Sequence, residues 1–220
     1  RRKPNEQFDF YPKRVKHATY FLQNLFRKDD FREGQVEILS RALQLKSVIG
    51  LLPTGGGKSL TYQFAVLMQP GISIVVDPIR SLMQDQYDNL HKMGIDAALF
   101  INSTLSTKDK HEKQQRYTKG EVLFAFISPE RMVMEEFRKA LTQLYQIRHY
   151  FSYAVVDEVH CVSEWGHDFR VPYLSLGKNL VKHCITKSGK ALPLLGLTAT
   201  ASFDVLADVQ RELGEEDEEA

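Results

Sequence analysis

Val48-Ile49-Gly50-Leu51-Leu52-Pro53-Thr54-Gly55-Gly56-Gly57-Lys58-Ser59 is the stretch on which the reading of this chain turns. An apolar, β-branched run ends in a proline and then three glycines, a lysine and a serine, and helical spacing follows from Lys58 to Met68. The glycines let backbone N–H groups turn inward without Cβ clashes, and a helix beginning there points its positive end at the same place. That combination cradles phosphate: Lys58 reaches the β- and γ-phosphates of a nucleotide, and the Ser59 hydroxyl ligates Mg²⁺. The expected nucleotide-binding set is Thr54, Gly55, Gly56, Gly57, Lys58 and Ser59. The general pattern places a glycine where this chain has Leu52, so the loop is a variant of that pattern.

Outward from this loop, short apolar runs alternate with longer helical stretches. The expected strands are Val48–Leu52, Ser73–Val76, Ala97–Ile101, Val122–Ile127, Tyr153–Val156 and Leu192–Leu197. Helices are expected over Ala18–Phe26, Glu33–Leu45, Lys58–Met68, Ser81–Lys92, Lys108–Tyr117, Arg131–Leu144, Leu174–His183 and Phe203–Leu213, with residues 1–16 as an irregular lead-in. Strands apolar throughout and separated by helices indicate an α/β fold, a mainly parallel sheet with helices on both faces. Ligands of such sheets bind beyond the carboxyl ends of the strands. The second chemical motif falls at one: Tyr153-Ala154-Val155-Val156 ends in Asp157-Glu158-Val159-His160. A carboxylate there, beside the phosphate loop, suits Mg²⁺, and an adjacent Glu158 suits orientation or deprotonation of an attacking water.

Composition excludes other classes. At 220 residues the chain holds one good core, and its longest apolar runs are far too short to cross a bilayer, so no membrane partner is expected. Nothing after Arg1-Arg2-Lys3 reads as a signal peptide. Two cysteines, Cys161 and Cys184, make neither a disulfide framework nor a zinc cluster, which points to a reducing compartment, cytoplasmic or associated with nucleoid or nucleus. The net charge of +1 conceals a basic amino-terminal segment and an acidic run at Glu215–Glu219 that reads as a solvated tail or linker. The organisation expected is a lead-in with helices over 1–45, an ATP-binding domain over 46–213 and the tail over 214–220.

Asp157-Glu158-Val159-His160 and its sequel, Cys161-Val162-Ser163-Glu164-Trp165-Gly166-His167-Asp168-Phe169-Arg170, closely resemble the acidic box and aromatic-rich loop of the RecQ family of superfamily 2 DNA helicases. Phe31-Arg32-Glu33-Gly34-Gln35 looks like that family's adenine motif, and Pro78–Gln86, Ser128-Pro129-Glu130-Arg131 and Leu197-Thr198-Ala199-Thr200-Ala201 follow in the family's order. The resemblance covers roughly residues 20–213. It implies a P-loop RecA-like three-layer sandwich, the first motor domain of a helicase that uses Mg²⁺ and ATP to move along single-stranded DNA and open duplex DNA. Arg32 and Gln35 would read the adenine. His160 would join Lys58, Asp157 and Glu158 at the catalytic centre. Trp165, His167, Phe169 and Arg170, with Thr198 and Thr200, would couple DNA to the ATP site. A second RecA-like domain of the same chain, outside these 220 residues, would complete the cleft, and this segment alone would bind nucleotide weakly and hydrolyse it poorly.

The chain departs from the family at several points. Lys28 stands where an adenine-stacking aromatic is common, preceded by Arg27 in place of glycine. Asp77 replaces a small hydroxyl, Arg80 replaces an apolar residue and adds a cation suited to a DNA phosphate, and Val171-Pro172 reverses the usual placing of proline. The loop and acidic box would serve an RNA-remodelling ATPase equally well; the Trp165 loop tilts the reading to DNA. A non-motor P-loop nucleotide-binding module, such as a small-molecule kinase, would need an acceptor pocket and lid that the motifs from Pro78 to Ala201 do not suggest.

Overall fold

A computed structural model of the chain describes residues 12–101, 115–116, 119, 121–161 and 175–200. Six strands form one sheet: β1 (Val48–Leu51), β2 (Ile72–Val76), β3 (Ala98–Ile101), β4 (Phe124–Ile127), β5 (Phe151–Asp157) and β6 (Leu194–Thr198). Their order across the sheet is β1-β6-β5-β2-β4-β3, and every neighbouring pair is parallel. The helices are α1 (Pro12–Phe21), α2 (Gln35–Leu43), α3 (Lys58–Leu67), α4 (Arg80–Lys92), α5 (Glu135–Gln146) and α6 (Leu176–His183).

The strands are apolar throughout because both faces are covered. Ile72, Ile74 and Val76 of β2 pack with Phe137, Leu141 and Leu144 of α5 and Leu176 and Leu180 of α6. Val75 of β2, with Tyr153 and Val155 of β5, belongs to the opposite layer, against Ile38 and Leu39 of α2, Tyr62 and Phe64 of α3 and Met83 of α4. This is the three-layer α/β architecture expected, with a sheet wholly parallel among the described residues.

The order of the strands places the chemistry. From β1 the chain crosses through α3 to β2, three places away, and β5 and β6 later fill the gap. The carboxyl ends of β1, β6, β5 and β2 therefore stand side by side. Leu51 lies opposite Thr198, Asp157 opposite Leu197, and Val76 opposite Val156. That is the crevice such sheets offer to a ligand.

Local structure corrects the sequence reading in three places. The lead-in is not irregular to residue 16: α1 begins at Pro12, since a first helical turn needs no N–H from proline. The helix expected through Phe26 changes at Leu22 into a π-helical turn, Leu22–Phe26, that buries Leu22 and Phe26. Phe26 stacks on Phe64, ring centroids 6.0 Å apart, and Arg27 ends the turn at φ 55°. The single helix expected over Arg131–Leu144 is divided: a 3₁₀ turn, Pro129–Val133, is followed by Met134 in extended conformation and then α5. Glu135 and Glu136 open α5, where acids favour the helix dipole, and Phe137, Ala140, Leu141 and Leu144 give it one buried face. The helices expected over 108–117 and 203–213 lie outside the described residues, Gln115 and Arg116 excepted.

Candidate active site

The loop between β1 and α3 is held from two sides. Gly56 N–H donates to Pro53 O at 2.7 Å, closing the turn. Gly57 has φ 86°, and a Cβ on it would lie 2.4 Å from Gln35 Nε2, so only glycine fits. Gln35 is 2% exposed and its amide is fully engaged: Nε2 donates to Gly56 O (3.1 Å) and Gly57 O (3.2 Å), while Oε1 accepts from Arg32 N (2.9 Å). The Arg32 guanidinium donates to Gly55 O. The motif expected to read adenine thus braces the phosphate loop from behind. A cleft of about 480 Å³ opens beside it, lined by Arg32, Gly34, Leu51, Pro53 and Thr54 among others. Lys28 and Arg27 are exposed and do not line this cleft.

Lys58 and Ser59 begin α3. The Lys58 ammonium donates to Glu158 Oε1, an ion pair between side chains 14% and 19% exposed. Glu158 follows β5 at φ 49°, a left-handed conformation that is costly for a non-glycine residue and turns its carboxylate toward the loop. Its other oxygen, Oε2, lies 3.3 Å from His160 Nδ1. That nitrogen also lies 2.7 Å from Thr198 Oγ1. Thr198 donates its proton to Thr200 O at 2.9 Å and accepts from Thr200 N at 3.3 Å, so it takes the proton of His160 Nδ1. A continuous polar path thus runs Lys58–Glu158–His160–Thr198–Thr200, from the phosphate loop to the end of β6.

Asp157 closes β5, 5% exposed, with Oδ1 accepting from Glu158 N at 2.9 Å. Burial pushes its pKa up, and Lys58 pulls it part of the way back. Asp77, just past β2, is 1% exposed and accepts from Ile79 N at 2.7 Å. Burial moves its pKa from 3.8 to about 7; the hydrogen bond from Ile79 opposes the shift, and the charges of Asp157 and Glu158 add to it. Ser59 Oγ accepts from Gln86 Nε2 at 2.6 Å, and Gln86 Oε1 accepts from Gln63 Nε2 at 3.0 Å.

The donor set fits magnesium. Ser59 and Asp157 offer hard oxygens, and burial penalises the Asp157 charge in a way that a bound cation would offset. Among the described residues no three His, Cys, Asp or Glu side chains gather as an all-protein metal cage. Magnesium in nucleotide sites is held through one or two side chains and the phosphates, so this set suits it.

The structure brings together Arg32, Gln35, Thr54, Gly55, Gly56, Gly57, Lys58, Ser59, Asp157, Glu158, His160, Thr198 and Thr200 around the carboxyl ends of β1, β6 and β5. Arg80 is exposed at the first residue of α4. Trp165, His167, Phe169 and Arg170 lie outside the described residues. Sequence reasoning missed Tyr62, Gln63 and Gln86 as parts of the site. Gln86 fell inside a recognised motif without a role, and Asp77 was marked only as a departure. Cys161 and Cys184 are buried and not joined in a disulfide, and among the described residues no helix is long and apolar enough to cross a membrane.

Residues 32–209 match the sequence model of the DEAD/DEAH box helicase family. The ATP-dependent DNA helicase RecQ of Haemophilus influenzae is 34% identical over 89% of this chain and 30% of its own length. The ATP-dependent DNA helicase Q1 of Pongo abelii is 37% identical over 86% of this chain and 28% of its own. The chain thus spans about a third or less of these relatives. Among solved structures, the DUF1998 helicase MrfA bound to DNA superposes with a TM-score of 0.69 at 19% identity, covering 92% of this chain and 26% of that one.

Proposed function

The chain belongs to the DEAD/DEAH box helicase family, and from that premise we propose that it is the first motor domain of a RecQ-type, ATP-dependent DNA helicase. In the full-length protein it binds Mg·ATP and couples hydrolysis to movement along single-stranded DNA and to unwinding of duplex DNA. The observation that carries this reading is the path Lys58–Glu158–His160–Thr198, which ties the phosphate loop to a hydrolytic carboxylate and then to a segment leaving the site.

In this mechanism Gln35 and Arg32 keep the loop's N–H groups facing the phosphates, with the base in the cleft beside Leu51 and Pro53. Lys58 leaves Glu158 for the β- and γ-phosphates, which frees the Glu158 carboxylate to orient water for in-line attack. Ser59 and Asp157 would hold magnesium, which would supply charge neutralisation at the phosphates. His160 and Thr198 register whether Glu158 is engaged and pass that state toward Thr200. Trp165, Phe169 and Arg170, suited to base stacking and phosphate contact, couple it to the strand. A second RecA-like domain supplies the remaining wall of the ATP cleft, so these residues alone turn over ATP slowly.

DNA is favoured over RNA because the relatives at 34–37% identity are named DNA helicases. The test is ATP hydrolysis and unwinding by the intact protein with single strands of either sugar. Lys58→Ala and Glu158→Gln should each abolish unwinding, the second while keeping nucleotide affinity. Normal ATPase activity in either variant refutes the site, and equal stimulation by RNA refutes the choice of DNA.

A further inference from the structure

Tyr62 lies on α3, three residues after Ser59 and so on the same side of the helix. Its side chain is 0% exposed and its hydroxyl has no hydrogen-bond partner. Tyr153 marks the contrast: its hydroxyl, equally buried, donates to Ala42 O at 2.8 Å. A buried donor without an acceptor is penalised relative to phenylalanine, so an orphan of this kind in a folded protein calls for an explanation.

The surroundings supply one. Tyr62 sits one helical turn past Ser59, where the charges of Asp77 and Asp157 are felt. Burial raises its pKa well above a phenol's usual value, and the charges of Asp157 and Asp77 raise it further. Ser59 and Gln63 lie close enough to offset part of that shift, yet neither pairing has hydrogen-bond geometry. The proton therefore stays on the oxygen. Around it the other polar groups are tied: Gln63 to Gln86, Gln86 to Ser59, and Asp77 to Ile79 N. Asp157 has one oxygen on Glu158 N. The Tyr62 hydroxyl is left without a partner within electrostatic reach of both acids.

We infer that Tyr62 is a positioning residue for the cation end of the nucleotide site, its hydroxyl donating to the Asp157 carboxylate when that group turns to engage magnesium. The inference rests on the Mg·nucleotide reading of this site. Binding of the cation moves Ser59 off Gln86 and fixes Asp157, and the orphan proton then gains its acceptor. Tyr62 thereby favours the magnesium-bound arrangement and does nothing for the one in which Ser59 is held by Gln86.

The test is Tyr62→Phe in the full 220-residue chain. A fluorescent ADP is titrated in excess MgCl₂ and again in EDTA, and the unliganded melting temperature is measured. The wild type should bind more tightly with magnesium. In Tyr62→Phe that enhancement should fall about tenfold, the worth of one hydrogen bond to a charged acceptor. Affinity in EDTA should be unchanged, and the melting temperature unchanged or higher, because the folded state loses no bond. An undiminished enhancement overturns the inference, as does an equal loss of affinity with and without magnesium together with a lower melting temperature, the signature of a packing role. If the wild type shows no enhancement by magnesium, the reading of the site fails and takes this inference with it.

Discussion

Replacing Asp77 by asparagine should stabilise the chain at alkaline pH and leave it unchanged at acid pH. The Asp77 carboxyl moves from 3.8 to about 7 on folding, chiefly by burial. A carboxyl whose pKa rises on folding binds more protons in the native state than in the unfolded one between those two values. Stability from this group therefore falls as pH rises from about 4 to about 7 and is flat beyond either end. At about 1.4 kcal/mol per pH unit, a shift of roughly three units costs the folded chain about 4 kcal/mol once Asp77 is fully ionised. Asparagine keeps the acceptor for Ile79 N, 2.7 Å away, and removes the charge that faces Asp157 and Glu158. Urea unfolding of both proteins at intervals from pH 4.5 to 8.5 measures the difference directly. It should grow from about 1 kcal/mol at pH 4.5 toward about 4 kcal/mol in favour of the Asp77→Asn variant above pH 8. Carboxyls remote from Asp77 tilt both curves alike and cancel in the subtraction. Two parallel curves would refute the reasoning, since Asp77 would then be no harder to ionise in the folded chain than in the unfolded one.

Two further outcomes follow from the hydrogen bonds. Gln35→Ala strips the brace from Arg32 N, Gly56 O and Gly57 O and should cost about 2 kcal/mol of stability; hydrogen exchange at the Gly56 amide should quicken, and unchanged protection there would mean that the loop holds itself. Thr198→Val, nearly isosteric, removes the acceptor of His160 and the donor to Thr200 O. In the intact protein it should lower DNA stimulation of ATP hydrolysis severalfold while basal hydrolysis changes little, and an equal fall in both would deny Thr198 a coupling role.

The turn after β1 was legible because its signal is local: glycines, lysine and serine stand within a few residues of one another. The strands were legible because a sheet covered on both faces demands unbroken apolar runs. The lead-in was read as irregular to residue 16, where Pro12 in fact opens a helix. Met134 was hidden for another reason: the apolar spacing from Arg131 to Leu144 continues whether or not that residue is helical. The sheet order was beyond reach, because nothing in the runs themselves says that β5 and β6 enter between β1 and β2. The Gln86–Ser59 bond spans 27 positions and the Lys58–Glu158 pair spans 100. Such contacts exist only once that order has set the strand ends side by side. Asp77 carried a signal, as a departure from a family pattern, but its shifted titration comes from burial, which a single position in a sequence does not reveal.

The partners of Lys58 and Ser59 bear on how such a site is used. Lys58 is taken by Glu158 and Ser59 by Gln86, the two side chains that phosphate and cation would claim. On the proposed reading, nucleotide must break both contacts to bind, so part of its binding free energy goes into rearrangement, and affinity for these residues alone is lowered accordingly. The same rearrangement releases Glu158 to act on water and alters what His160 presents to Thr198. A site that began with Lys58 and Glu158 already apart would bind nucleotide more tightly but would have less difference between its two arrangements to transmit. On that reading, competition for the same two side chains is what makes the path to Thr200 responsive to ATP, and its strength sets how much of the binding energy reaches the nucleic-acid face.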